Sequence, residues 1–208
     1  MDSNTHSIQD PAGRPAEPSD GLAALAAAVD QLAAQERHGL PDPVRAERVL
    51  VLRRLLDRLE GHWLQELAAV DARGAAGADH DLQVGSTASW LHSRLRMGAG
   101  AAHTSVRTAR ALFRGPLTET ATAPTDGQLS PAHASVLAAG TQELPDHVTA
   151  EAEPVLVEAA RRLDPPRLRQ VIGQLREVID PDTTTSRAER RHARRGRWLA
   201  RPWRAWSP

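Results

Sequence analysis

The chain is 208 residues long, has no cysteine and no lysine, and sets 26 arginines against 26 acidic residues. A disulfide framework, a thiolate zinc site and a cysteine nucleophile are thereby excluded. The length suits one domain with flanking segments, large enough to bury about 70% of its unfolded surface without a structural metal. The neutral total hides an asymmetry: residues 187–208 carry eight arginines and one glutamate, leaving eighteen arginines against twenty-five acids in residues 1–186. An acidic body is not a general polyanion binder, and arginine without lysine beside abundant alanine reflects GC-rich codon usage. No apolar run approaches the ~20 residues of a membrane span, and the start, MDSNTHSIQDPAGRPAEPSDG, lacks the basic-then-apolar order of a secretory leader. The expected location is cytoplasmic.

Residues 1–19 are polar, proline-rich and aperiodic, the composition of a disordered segment. Ser19 or Asp20 can cap a helix carrying Leu22, Leu25, Val29 and Leu32 at helical spacing, stopped by Gly39 and Pro41. Asp42 followed by Pro43 is a capping acceptor before a proline at a first helical position. It predicts a long helix over 42–73, with Leu52, Leu55, Leu56, Leu59, Trp63, Leu67 and Val70 on one face and Gly74 and Gly77 at its end. Such a helix would be ~45 Å long, longer than a small globule needs. It would serve as a spine for shorter helices or as a seam for a second copy of the chain.

Ser86 opens a third helix, STASWLHSRLRM, broken by Gly98 and Gly100, and a fourth runs from about residue 101 to 114. On that fourth helix Val106, Ala109 and Phe113 form one stripe, and His103, Arg107, Arg110 and Arg114 a neighbouring one. A looser stretch over 115–128 leads to LSPAHASVL, where Ser130 and Pro131 repeat the cap-then-proline pattern, and Leu144–Pro145 ends that helix. Residues 148–163 are helical in pattern, although Pro154 should bend or delay the start. Asp164 and Pro165 begin the last clear helix, closed by Asp180–Pro181. No alternating strand pattern occurs, so the fold class is all-α: a helical domain over 20–182 between a disordered N-terminus and a basic tail over 183–208.

Few motifs carry chemistry. The third and fourth helices have the outline of a helix-turn-helix whose second helix bears the basic stripe, and guanidinium groups suit phosphates and guanine edges. The commoner reading of such a hairpin is an ordinary one with a solvated arginine face. The candidate nucleic-acid contacts are His103, Arg107, Arg110 and Arg114 with Arg190, Arg191, Arg194, Arg195 and Arg197 of the tail. Asp79, His80 and Asp81 stand in a row but read as a solvated loop, and His133 as a satisfied or exposed histidine in a first helical turn. No phosphate-binding glycine loop, HExxH, GxSxG or catalytic carboxylate pair is present. The residues thus point to no catalytic group, no cofactor, no metal site and no small-molecule ligand.

Five stretches together resemble a known family: LDRLEGHWLQELAAVDARGA (56–75), GSTASWLHSRLRM (85–97), VRTARALF (106–113), LSPAHASVL (129–137) and EAEPVLVEAARRLDPPRLRQVIGQLREVIDPD (151–182). They are similar to the 13E12 repeat family of high-GC Gram-positive bacteria, whose helical region is the domain of unknown function 222. The resemblance covers roughly residues 20–204. It implies an association with HNH endonucleases, in which the helical domain usually precedes a nuclease domain whose histidine and asparagine side chains hold a divalent metal. That metal would be expected only in the nuclease domain, so these residues are expected to form a non-catalytic helical module. DNA binding through the arginine stripe and tail, and dimerisation through the long helix, are the alternatives.

The tail departs from the family pattern. Relatives continue through an Arg-Thr-Trp-like segment into Gly-Met-Val-Ala, whereas here the chain reads Arg-Ala-Trp-Ser-Pro. Gly-Met-Val-Ala written GGC ATG GTC GCC and read one base later gives GCA TGG TCG CC, or Ala-Trp-Ser-Pro. A single-base deletion after Trp203, and hence a truncation before the nuclease domain, is the expectation that follows.

Overall fold

The computed structural model describes residues 20–35, 38–79, 85–125 and 129–179. The tail arginines Arg190, Arg191, Arg194, Arg195 and Arg197, and His80 and Asp81, lie outside these residues. Among the described residues there are eight α-helices, one 3₁₀ turn and no strand. The helices are α1 (Asp20–Ala34), α2 (Asp42–Arg73), α3 (Thr87–Leu95), α4 (Ala99–Arg114), α5 (Thr118–Thr125), α6 (Pro131–Thr141), α7 (Asp146–Arg162) and α8 (Pro165–Ile179), with the 3₁₀ turn at Ala75–Ala78. The chain divides into two units, residues 1–46 and 47–208, with the division inside α2. In the first unit, α1 buries no residue.

Local chemistry accounts for the helix ends. Gly74 stops α2 in the left-handed region at φ 63°, a conformation glycine adopts without a Cβ penalty. Ser86 caps α3 by accepting from the Ser89 amide at 3.1 Å, Ser130 caps α6, and Asp164 accepts from the Arg167 amide at 2.8 Å to cap α8. Three expectations need correcting. Gly98 is the N-cap of α4, but Gly100 lies inside the helix. Pro154 sits inside α7, which runs unbroken from Asp146 to Arg162. Its ring removes one amide donor, and the buried stripe Glu153, Leu156, Val157 and Ala160 keeps the helix on the body. The stretch expected to be loose contains α5, whose start is held from α7 as described below.

In the second unit, α6 is the central element, packed against α4, α5, α7 and α8. Its sequence PAHASVLAAGT buries Ala134, Val136, Leu137 and Ala138, consistent with a helix surrounded by neighbours. Gly140 marks its closest approach to α8: a Cβ built there would stand 2.5 Å from Ile172 Cγ2. The core joins Leu91 of α3, Ala102, Val106, Ala109 and Leu112 of α4, Leu156 and Val157 of α7, and Leu168 and Ile172 of α8. Each large side chain buried in this way contributes ~1.5–3 kcal/mol.

The long helix keeps the expected stripe of Leu52, Leu55, Leu56, Leu59, Trp63, Leu67 and Val70 within about 120° of arc, but only its later part is covered, with Leu67 buried and Trp63 and Val70 half-buried. Gly61, Leu64, Leu67 and Ala68 are its buried residues. Leu52, Leu55 and Leu59 stand nine residues before Gly61, Leu64 and Ala68, which is two and a half turns, and so point the opposite way. Leu55 and Leu56 remain 47% and 55% exposed. The C-terminal half of α2 belongs to the core, while the earlier leucines of the stripe, Leu52, Leu55, Leu56 and Leu59, stay uncovered.

Candidate functional site

The four basic residues of α4 recur at three- and four-residue intervals and so share one edge of the helix. That edge does not lie open as an even row. Asp71, in the last turn of α2, accepts from Arg110 Nε and from a second guanidinium nitrogen, each at 2.7 Å. Arg114 Nη1 reaches the same carboxylate at 3.4 Å. The Asp71 side chain is only 4% exposed. The hydrogen bond from Arg110 holds its carboxyl below the usual carboxylate range, burial opposes this, and a hydrogen bond with Thr87 and the two guanidinium charges add to it. Reciprocally, Asp71 raises the Arg110 pKa. Two of the three arginines on this edge are therefore engaged in fastening α4 to α2.

Arg107 stands apart. It is half-buried, and its Nε is shielded from water with no hydrogen-bond partner. With exposed His103 and with Arg110 it lines a cleft of about 550 Å³ between the start of α3, α4, the end of α6 and the start of α7. Thr141, Asp146 and Thr149 face it from the other side. Thr149 is 1% exposed, and its hydroxyl also has no partner. The structure thus brings together His103, Arg107, Arg110 and Arg114, but with unequal electrostatic roles.

Other polar residues have architectural partners. Asp79, expected in a solvated loop, accepts from Trp90 Nε1 at 2.8 Å and from Arg94 Nε at 2.6 Å, tying the 3₁₀ turn to α3. His133 is satisfied on both nitrogens, with Nδ1 2.7 Å from Ser130 Oγ and Nε2 2.8 Å from the Leu163 carbonyl. Glu153, 3% exposed, accepts from the Thr120 amide at 2.7 Å and from the Thr118 hydroxyl at 3.4 Å. It supplies a buried acceptor for the start of α5, beside the helix's own first-turn Glu119. A second cleft, against the body side of α2, has Arg53, Asp57 and Glu60 on its rim, with Arg53 bonded to Asp57. Among the described residues, no three histidine, aspartate or glutamate side chains are grouped to hold a metal ion. No described helix is long and apolar enough to cross a membrane.

Asp71, Thr149 and Glu153 escape motif reading, yet each leaves a signal. Asp71 continues the buried series Gly61, Leu64, Ala68, and Thr149 and Glu153 precede Leu156 and Ala160 at the same spacing. A polar residue in phase with an apolar stripe must find a partner or a ligand.

The family model described as "Domain of unknown function (DUF222)" matches residues 44–202. No curated protein and no solved structure is similar enough to match.

Proposed function

Starting from the fact that this chain belongs to the DUF222 family, we propose that it is a non-catalytic, cofactor-free helical module that pairs with a second copy of itself through α2. The observation that carries the reading is the uncovered stripe of Leu52, Leu55, Leu56 and Leu59, all of them exposed. Monomeric proteins seldom leave a contiguous aliphatic face of this kind in water.

A second copy fits this face by charge as well as by shape. In an antiparallel pair centred between residues 52 and 53, Val49 meets Leu56 of the other helix, twice by symmetry, and the two Leu52 side chains flank the centre. The same register sets Glu47 beside Arg58 of the other copy, twice by symmetry. Both lie on the same flank of the apolar face, the arrangement in which antiparallel helices exchange flanking charges. Fully burying one leucine gives ~1.5–3 kcal/mol, so the exposed halves of eight leucines supply ~6–12 kcal/mol before the costs of association. Those costs are ~4–15 kcal/mol, which puts the dimer in the micromolar range or weaker.

Light scattering tests the reading. The expected result is a dimer at about 100 μM protein, and a monomer for Leu55→Asp/Leu59→Asp with its helical circular dichroism intact. A wild-type chain that stays monomeric at that concentration removes the proposal.

Contact with DNA is a second reading, favoured by Arg107, the guanidinium on α4 without a carboxylate partner. Fluorescence anisotropy with duplex DNA at two salt concentrations tests it, because phosphate contacts make affinity fall steeply with salt. Binding that is absent at low salt, or indifferent to salt, rules it out.

A further inference from the structure

The cleft beside α4 is independent of the α2 face and has an electrostatic arrangement of its own. Arg107 carries its charge into a half-buried position, yet no ion pair joins it to Asp146 across the cleft, and its Nε has no acceptor. A guanidinium N–H shielded from water without an acceptor is costly to keep. The neighbouring Arg110 does not share this deficit, because Asp71 satisfies it. On the opposite wall Thr149 Oγ1, on a residue 1% exposed, is a second buried polar atom without a partner.

The third contribution is the start of α7, a helix of 17 residues. Its N-cap is Pro145, which brings no side-chain cap. The first backbone donor bonded back to that cap is the Thr149 amide, 3.0 Å from the Pro145 carbonyl. The amides of Asp146, His147 and Val148 precede that bond, so they have no partner within the helix, and the helix dipole favours negative charge there. Arg107 of α4 and, from the first turn of α7, Asp146 and Thr149 line the same concavity. Asp146 and Asp71 are the carboxylates beside it, against Arg107, Arg110 and Arg114.

We infer that this cleft binds a terminal phosphoryl group, carried by a nucleotide or by the phosphorylated 5′ end of a DNA strand, with Arg107 as its charge partner and the Thr149 hydroxyl and the Asp146 amide as neutral donors. A phosphoryl group offers several acceptor oxygens in a tetrahedron and can take donors arriving from different elements at once. The volume, about 550 Å³, lies in the range of small-ligand sites. A concave site of that size admits a strand end or a mononucleotide. Rotation of the Arg107 side chain brings its donors onto the phosphoryl oxygens.

The test titrates the full chain with four compounds: thymidine 5′-monophosphate, thymidine, and a short oligothymidylate with either a 5′-phosphate or a 5′-hydroxyl. The Arg107 Nε–H resonance is followed by NMR and affinity by calorimetry. Both phosphorylated compounds are expected to bind saturably and move that resonance, while thymidine and the 5′-hydroxyl strand do neither. Arg107→Gln should weaken binding at least about tenfold, as expected for loss of a charged contact. Thr149→Val, which keeps the side-chain shape, should weaken it by a smaller factor. A strand that binds at least about tenfold tighter than the mononucleotide identifies a DNA end as the source, and equal affinities identify a free nucleotide. The inference is overturned if neither phosphorylated compound shifts the resonance saturably, if the 5′-hydroxyl strand binds as tightly as the phosphorylated one, or if folded Arg107→Gln binds like wild type.

Discussion

Replacing Asp71 by asparagine keeps the shape and an acceptor but removes the charge that holds Arg110 and Arg114. Hydrogen bonds to charged groups contribute ~1.5–3 kcal/mol. Here Asp71 is 4% exposed but Arg110 is 57% exposed, so solvent screening reduces the figure to ~1–2 kcal/mol. For a helical body of this size that corresponds to a fall in Tm of about 3–8 °C near pH 7. The pH dependence is the sharper part. Asp71 has a depressed pKa in the folded state, so the unfolded chain takes up its proton first as pH falls. The stabilisation is complete above the unfolded value of ~3.9 and is lost as pH drops from there through the folded value. Thermal melts followed by circular dichroism at neutral pH and at about pH 3 should therefore show wild type and Asp71→Asn converging in acid. An equal Tm difference at both pH values, or none at neutral pH, would refute the assignment of Asp71 as a charged fastening.

Gly140→Ala should destabilise the chain by ~1 kcal/mol: crowding a packed contact costs ~1–3 kcal/mol, partly offset by alanine's helix propensity of ~1 kcal/mol. Urea unfolding checks it, and adding Ile172→Ala should remove most of the penalty, since Ile172 is the residue that a Cβ at 140 would meet. Glu153→Ala should cost ~1.5–3 kcal/mol by leaving the Thr120 amide without its buried acceptor. Hydrogen exchange should locate that loss at the first turn of α5, and faster exchange spread evenly over the molecule would contradict the capping role.

Much of the fold is legible in the residue order because its boundaries are written in short-range chemistry. Asp42–Pro43 and Gly74 bracket α2, and Ser86, Ser130 and Asp164 each cap the helix expected to follow. What is less legible depends on distant partners. The stretch TETATAPT has no apolar stripe, and the carboxylate that anchors α5 comes from Glu153, 33 residues away from Thr120. The α2 leucines at helical spacing do form one stripe, but only packing shows that cover reaches Leu67 and leaves Leu52, Leu55, Leu56 and Leu59 exposed. The basic edge of α4 is visible as a stripe, but Asp71, 39 residues before Arg110, decides which of its charges are already used. Arg107 acquires a distinct role only once Thr149 and the start of α7 are seen to face it.

The self-association of α2 is tested most directly by charge reversal at Glu47 and Arg58, followed by sedimentation equilibrium. Antiparallel pairing in the proposed register predicts that Glu47→Arg and Arg58→Glu each weaken the dimer, because each sets like charges opposite one another in both symmetry-related pairs. The double variant Glu47→Arg/Arg58→Glu should recover close to wild-type affinity. A double variant as weak as the sum of the two single changes, or single variants that dimerise like wild type, would contradict the register and with it the account of α2 as a pairing surface.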